Sequence, residues 1–171
     1  VATGVLALLT ALVHGVRLSA WRGFATVSNP LRFVLHAAYS WLPVGYLLLA
    51  LSMFGIWMTP AAALHALTMG AIGSIVIGVI SRVSLGHTGR PLIAPRAMVF
   101  AYWVMILAAI VRIAGTFSSE AYLLMIDLAA GGWILVFGIF TWVYWPILTR
   151  PRPQKPPEQK PAPDISLKVR Q

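Results

Sequence analysis

Residues 64–91 read LHALTMGAIGSIVIGVISRVSLGHTGRP, an apolar segment with a histidine near its start followed by a basic segment with a second histidine. Between Leu64 and Ile80 there is no Asp, Glu, Lys or Arg, and small residues recur at every fourth position, at Ala66, Gly70, Ser74 and Gly78. Because lipid gives helices no hydrophobic reason to associate, small residues that let backbones approach take over that role. The pattern predicts a membrane helix over 64–80 that packs tightly on its neighbours.

The basic segment, Ser81–Pro91, holds two arginines, a histidine, two glycines and a proline. This composition predicts a turn that is not helical throughout. Arg82, His87 and Arg90 could bind an acidic ligand such as the propionates of a haem, helped by backbone amides near the glycines. The alternative is a loop whose arginines only fix the orientation of the protein in the membrane.

The composition is that of a polytopic membrane protein: 171 residues, 59% hydrophobic, 10% charged, with a mean hydropathy of +0.82. Cysteine is absent, which excludes disulfides, iron–sulfur clusters and thiolate-bound metals. Any metal must therefore use histidine, methionine or oxygen ligands. The net charge of +9 does not indicate nucleic acid, because the chain has no basic face with interleaved aromatic residues.

The chain is predicted to be an all-α transmembrane helix bundle with about five spans, over 1–16, 33–57, 64–80, 97–113 and 120–148. The Thr59–Pro60 pair, an N-cap followed by proline in the first turn, is predicted to start the third helix. Residues 1–149 form the membrane domain in this interpretation. Residues 150–171 are expected to be a disordered, basic, proline-rich cytoplasmic tail. The chain opens at Val1 inside an apolar run, so we expect it to be the C-terminal part of a longer protein.

Basic residues alternate between the two sides of the membrane. Lys and Arg number three in 17–32, three in 81–96 and six in the tail, so twelve of the thirteen fall on alternate loops. Because cytoplasmic loops are enriched in Lys and Arg, this pattern predicts five spans with a cytoplasmic C-terminus.

Histidines are the main candidate ligands. His14, His36 and His87 are predicted to lie near the cytoplasmic ends of their segments, whereas His65 lies about one turn inside the opposite face. One metal ion therefore cannot bind all four. Imidazoles can hold haem or copper, and a pair formed by His65 and Met69 could hold copper(I) or haem. The alternatives are hydrogen-bonded structural histidines and a methionine that fills a gap.

Apart from Glu120 at the first position of the last predicted span, Asp127 is the one acidic residue inside a predicted span and should need a partner. Arg112 and His65 are predicted on the same side of the membrane. We expect Asp127 to orient a histidine or pass protons, or else to pair with Arg112. These polar residues also support an alternative function, a transporter that moves a metal or another small solute. No phosphate-binding loop, catalytic carboxylate pair or Ser/His/Asp arrangement is recognisable, so the sequence does not support hydrolysis or phosphoryl transfer, and whether the protein is an enzyme stays open.

Residues 64–92, together with WRGF at 21–24 and LHAAYSWLPVG at 35–45, closely resemble the signature of the NnrS family. The resemblance covers about residues 17–152. It implies a longer, multi-helix protein of the bacterial inner membrane that contains haem and copper. It also implies a link to the nitric oxide response and to denitrification, with nitric oxide as the small-molecule ligand and the lipid bilayer around the chain.

The resemblance implies functional roles for the residues that stand in the matching motifs. It implies cofactor binding by His36, His65, His87, Arg82 and Arg90, and metal binding by the same three histidines. His14 lies at the edge of the match and is kept as a further metal candidate. The family's N-terminal half carries another histidine motif, so that missing half is the expected partner of this chain. A third interpretation is a cofactor-free scaffold for respiratory complexes.

Overall fold

The computed structural model describes residues 1–21 and 23–153, except for the side chain of Phe24. These residues form helices and loops, with no strand among them. Five helices are long and apolar enough to cross a membrane: α1 (Ala2–Ser19), α2 (Pro30–Met53), α3 (Pro60–His87), α4 (Arg96–Ala114) and α5 (Tyr122–Thr149). The predicted all-α bundle of five spans is therefore confirmed. The predicted disorder of the tail concerns mainly residues 154–171, which lie outside the described residues.

Side-chain caps fix the starts of α2 and α3. The Asn29 side chain accepts a hydrogen bond from the backbone N–H of Arg32 at 3.3 Å, and Thr59 accepts one from Ala62 at 3.2 Å. A proline follows each cap, where its missing N–H is not needed. The predicted start of a helix at the Thr59–Pro60 pair is thus confirmed.

The third helix continues past its predicted end at Ile80. It runs over Pro60–His87, and its middle part, Ala66–Gly73, is a π-helix. The expectation of a turn from Ser81 onward is therefore wrong for the first seven residues of the basic segment. Ser81, Ser84 and Leu85 are buried, so packing extends the helix through residues whose composition suggested a loop. The chain turns only at Gly89, whose φ is +69°.

The small residues of α3 form the packing surface that their spacing predicts. All four are buried, and they face α2 at two close contacts. A Cβ atom added at Gly70 would lie 2.5 Å from Trp41, and one added at Gly78 would lie 2.9 Å from Val34. The two helices are therefore closer than any larger side chain at these positions would allow.

The bundle has a simple arrangement. α2 and α4 both pack against α3, while α1 covers α2 and α5 covers α4. Short loops join the spans, so α1, α3 and α5 finish at one end of the bundle, where α2 and α4 begin; we call it the basic end. Buried apolar residues gather mainly toward this end, at Leu31, Val34, Ile77, Leu85, Met98, Ala101, Tyr102, Met105, Val136 and Tyr144.

Two arginines join the loop after α3 to the end of α5. Arg90 donates a hydrogen bond from Nη1 to the backbone oxygen of Ile147 at 2.9 Å, and Arg152 donates from Nη2 to that of His87 at 2.6 Å. Both acceptors belong to the last turn of a helix, where carbonyl groups lack intrahelical donors. Arg90 therefore closes a helix end in this structure.

Replacing Arg90 with glutamine is expected to lower the stability of the protein by about 1 kcal/mol, because a half-buried hydrogen bond from a charged group is lost. Thermal unfolding in detergent would show this as a lower midpoint. Arg96→Gln is the matched control, since Arg96 is exposed at the start of α4. Equal midpoints for the two variants would contradict the role given to Arg90.

Candidate functional site

A cavity of about 940 Å³ lies at the basic end, bounded by α1, α2, α4 and the loop between α1 and α2. Its walls are mostly apolar and aromatic, with one histidine. The lining residues are Gly15, Leu18, Ser19, Trp21, Gly23, Ala25, Val27, Phe33, His36, Ala37, Ser40, Trp103 and Ile106. We call it the His36 cavity.

The ring of His36 is oriented by the backbone of its own helix. Its Nδ1 lies 3.1 Å from the carbonyl oxygen of Arg32. Because a carbonyl only accepts hydrogen bonds, Nδ1 carries the proton, and in the neutral imidazole this tautomer leaves Nε2 with a free lone pair. The Trp21 ring packs edge-on against the imidazole, with 5.4 Å between centroids. Histidine ligands of metals are commonly held this way, with one nitrogen on a carbonyl and the other on the metal.

His14 is linked to the same region through aromatic side chains. Its Nδ1 is 2.8 Å from the hydroxyl oxygen of Tyr39, and its ring stacks on Tyr46 at 6.1 Å. Tyr39 in turn lies 4.6 Å from the Trp21 ring. His14 and His36 thus stand on either side of a Trp21–Tyr39 pair, although His14 does not line the cavity itself.

The His36 cavity has the features that a haem requires. Its volume falls within the range of roughly 300–1,000 Å³ that is usual for cofactor sites. It offers one imidazole nitrogen with a free lone pair and three aromatic walls. No group of three His, Asp or Glu side chains able to hold a bare metal ion occurs in the described part of the chain. A haem needs only one or two protein ligands, since the porphyrin supplies the other four.

His65 lies in a second cavity, of about 530 Å³, near the opposite end of the bundle. Residues of α3, α4 and α5 surround it, and we call it the Arg112 cavity. Its lining residues are His65, Thr68, Met69, Arg112, Ile126, Ala129, Ala130, Trp133 and Ile134. The structure thus places His65 apart from the other three histidines, as the helix order predicts.

The Arg112 guanidinium has no acidic partner among the described residues. Its Nη1 is buried without a hydrogen bond, and its Cζ lies 5.8 Å from the centre of the Tyr122 ring. Asp127 is exposed, lines neither cavity and forms no ion pair within the described chain. The expected pairing of Asp127 with Arg112 or with His65 is therefore wrong in this structure.

Copper does not fit the Arg112 cavity. His65 and Met69 both line it, and an imidazole with a thioether suits copper(I). However, the permanently charged guanidinium of Arg112 lines the same space, and no carboxylate does. A metal cation there would face an uncompensated positive charge.

The remaining predicted site residues lie elsewhere. His87 is exposed at the end of α3, Arg82 is half-buried on the same helix, and Arg90 bonds to Ile147. None of the three lines either cavity.

Sequence reasoning missed several walls of the His36 cavity. Trp21 is predicted only as part of the WRGF motif, and Phe33 and Trp103 are not selected. Tyr39, which packs against Trp21 without lining the cavity, is not selected either. Tyr39 follows His36 by three residues, which places both on one helix face and gives a usable signal. Trp103 comes from α4, and no local pattern connects it with His36.

Comparison with known proteins gives one match. The family described as NnrS protein matches residues 1–152, which is most of the chain. No curated protein and no solved structure matches. The chain therefore belongs to the NnrS family, as its motifs predict.

Proposed function

We propose that this NnrS-type membrane protein holds a haem through His36 and binds nitric oxide, in the response to or protection against nitric oxide during denitrification. The hydrogen-bond distance of 3.1 Å between His36 Nδ1 and the Arg32 carbonyl is the observation that supports the proposal most. It leaves Nε2 free as a ligand on a residue that lines a cavity of suitable size. His36, rather than His65 or His87, is therefore the proposed ligand.

When bound, a haem supplies an iron atom with a coordination position open to an uncharged diatomic gas. The chain's own residues determine what reaches that position. The Arg32 carbonyl fixes the ring of His36, and the apolar walls, including Trp103, exclude water and charged solutes. Such walls favour a small neutral ligand over an anion.

Arg17 is the proposed partner for the acidic edge of the haem. Its Cζ lies 5.6 Å from the centre of the Trp21 ring, which lines the cavity. None of Arg17, Arg82 and Arg90 lines the cavity, and Arg17 is preferred to the two arginines favoured by the family resemblance because it contacts one of the cavity walls, Trp21. The guanidinium of Arg17 is exposed, so a propionate could reach it from the rim.

The setting of the protein is part of the proposal. We place it in the bacterial inner membrane with a cytoplasmic C-terminus, as the distribution of Lys and Arg favours. The N-terminal half expected from the family resemblance is its proposed partner. Copper, which the same resemblance implies, is not assigned to the Arg112 cavity, because the site there does not fit a cation.

The test is an absorption spectrum of the purified full-length protein, followed by titration of the reduced form with nitric oxide. We expect a Soret band that shifts until one nitric oxide is bound per haem. A protein without a Soret band would overturn the haem site and favour the transport alternative, which solute flux into vesicles would then test. A Soret band unchanged by nitric oxide would overturn the proposed ligand.

A further inference from the structure

We infer that the Arg112 cavity is a binding site for an oxyanion group carried on an apolar body, such as a small carboxylate or the phosphate of a lipid headgroup. This inference does not rest on the proposed haem function, because the cavity lies near the opposite end of the bundle from His36. It is based instead on the positive charge of Arg112, which makes the cavity unsuitable for copper.

The unpaired guanidinium is the first observation. Nη1 of Arg112 is buried and has no hydrogen-bond partner in the described chain. The Tyr122 ring makes a cation–π contact with the guanidinium carbon at 5.8 Å, but this contact provides no lone-pair acceptor for Nη1. A charged group buried in a membrane helix bundle is costly unless another group compensates it. An anion in the cavity, which Arg112 lines, would supply the opposite charge.

The polar neighbours of Arg112 favour an anion over a cation. His65 lines the cavity, and a neutral imidazole has one N–H that can donate to an anion. The Thr68 hydroxyl donates to the backbone oxygen of Leu64 at 2.7 Å, so its proton is not available to a ligand. No Asp or Glu lines the cavity to repel an anion. The lining residues that can donate to an anion are therefore Arg112, His65 and Trp133, whose indole carries an N–H.

The other walls indicate that the ligand has an apolar part. Ile126, Ala129 and Trp133 of α5 line the side of the cavity formed by that helix. A volume of about 530 Å³ is larger than a simple inorganic anion needs. The planar guanidinium can bond two oxygens of a carboxylate or phosphate at once.

The site lies where either a small carboxylate or the phosphate of a lipid headgroup could supply the oxyanion. Arg112 lies in the last turn of α4, and His65 lies in the second turn of α3, so both are near one membrane boundary. The π-helix of α3 begins directly after His65 and contains Thr68 and Met69. π-helices are frequent at functional sites, because they change the direction of the side chains that they carry.

The first experiment uses full-length protein in nanodiscs of neutral phosphatidylcholine, titrated with sodium butyrate at constant ionic strength. Butyrate should raise the midpoint of thermal unfolding, whereas butyramide, which has the same shape without the charge, should not. Arg112→Gln should raise the half-saturating butyrate concentration about tenfold or more, as expected when a charged hydrogen bond is lost. Arg96→Gln, an exposed arginine of the same helix, should leave the titration unchanged.

A second arm distinguishes a lipid from a soluble ligand. If the oxyanion belongs to a headgroup, replacing part of the lipid with phosphatidylglycerol should raise the midpoint without butyrate, and only Arg112→Gln should remove the effect. A response to either source supports the site and identifies its ligand. The inference is overturned if neither source raises the midpoint, or if Arg112→Gln and Arg96→Gln respond alike.

If Arg112→Gln does not fold, a fluorescence measurement on protein that keeps Arg112 tests the same site. Trp133 lines the cavity, so the fluorescence difference between the native protein and Trp133→Phe reports on it. Iodide, an anionic quencher, should quench this component more strongly than neutral acrylamide, and butyrate should protect it. Weaker quenching by iodide than by acrylamide would overturn the inference, and haem absorbance plays no part in this readout.

Discussion

Replacing His36 with alanine is expected to abolish the Soret band of the full-length protein, while His87→Ala leaves it intact. His36 lines the cavity and has a free Nε2, whereas His87 is exposed at the end of α3 and lines no cavity. Even changes in residues that support a metal ligand commonly lower affinity 10- to 100-fold, so removal of the ligand itself should lower haem content at least about tenfold. The measurement is haem absorbance per protein.

Imidazole added to the His36→Ala protein provides the control for folding. If the histidine acts as a ligand, free imidazole should enter the space left by the side chain and restore a Soret band. A protein that had merely lost its structure would not recover in this way. Retention of the band in His36→Ala together with its loss in His14→Ala would contradict the assignment and make His14 the ligand.

Much of the fold can be predicted from the sequence, because few backbone structures are stable inside a membrane. Apolar runs of sufficient length must be helical in lipid, and the spacing of Gly70 and Gly78 identified the helix face that meets α2. Helix ends were harder to predict. Ser81 and Ser84 look like loop residues, yet their burial in the bundle extends α3 to His87, and only the assembled helices determine that burial.

The site was less predictable, because it depends on how helices are rotated and which helix is adjacent. Successive residues of an α-helix differ by about 100° in direction, so Ile126 can face the Arg112 cavity while Asp127 is exposed. The predicted pairing of Asp127 with Arg112 used only their charges and their depth in the membrane. Neither quantity indicates how a helix is rotated about its own axis. The hydrogen bond between His36 and Arg32, in contrast, joins residues four apart in one helix, and sequence could have indicated it.

Replacing Gly70 with alanine adds only one methyl group. We nevertheless expect it to be among the most destabilising glycine-to-alanine substitutions in the bundle. The added Cβ atom would lie 2.5 Å from Cδ2 and 2.7 Å from Cγ of Trp41, atoms close to the backbone of a rigid side chain. The indole cannot turn away cheaply, so α2 and α3 must separate. Overpacking of this kind costs about 1–3 kcal/mol. A lower midpoint of thermal unfolding in detergent would report it.

Gly138→Ala is the matched control, because a Cβ atom added there meets no atom within 4 Å. Alanine favours a helix over glycine by up to about 1 kcal/mol, so this variant should be neutral or slightly more stable. Shortening the opposing side chain by Trp41→Leu should restore part of the stability lost in Gly70→Ala, with a coupling of about 0.5–3 kcal/mol. Additive effects of the two substitutions would contradict a direct contact. A higher midpoint for Gly70→Ala, which helix propensity alone would give, would contradict the predicted overpacking as well.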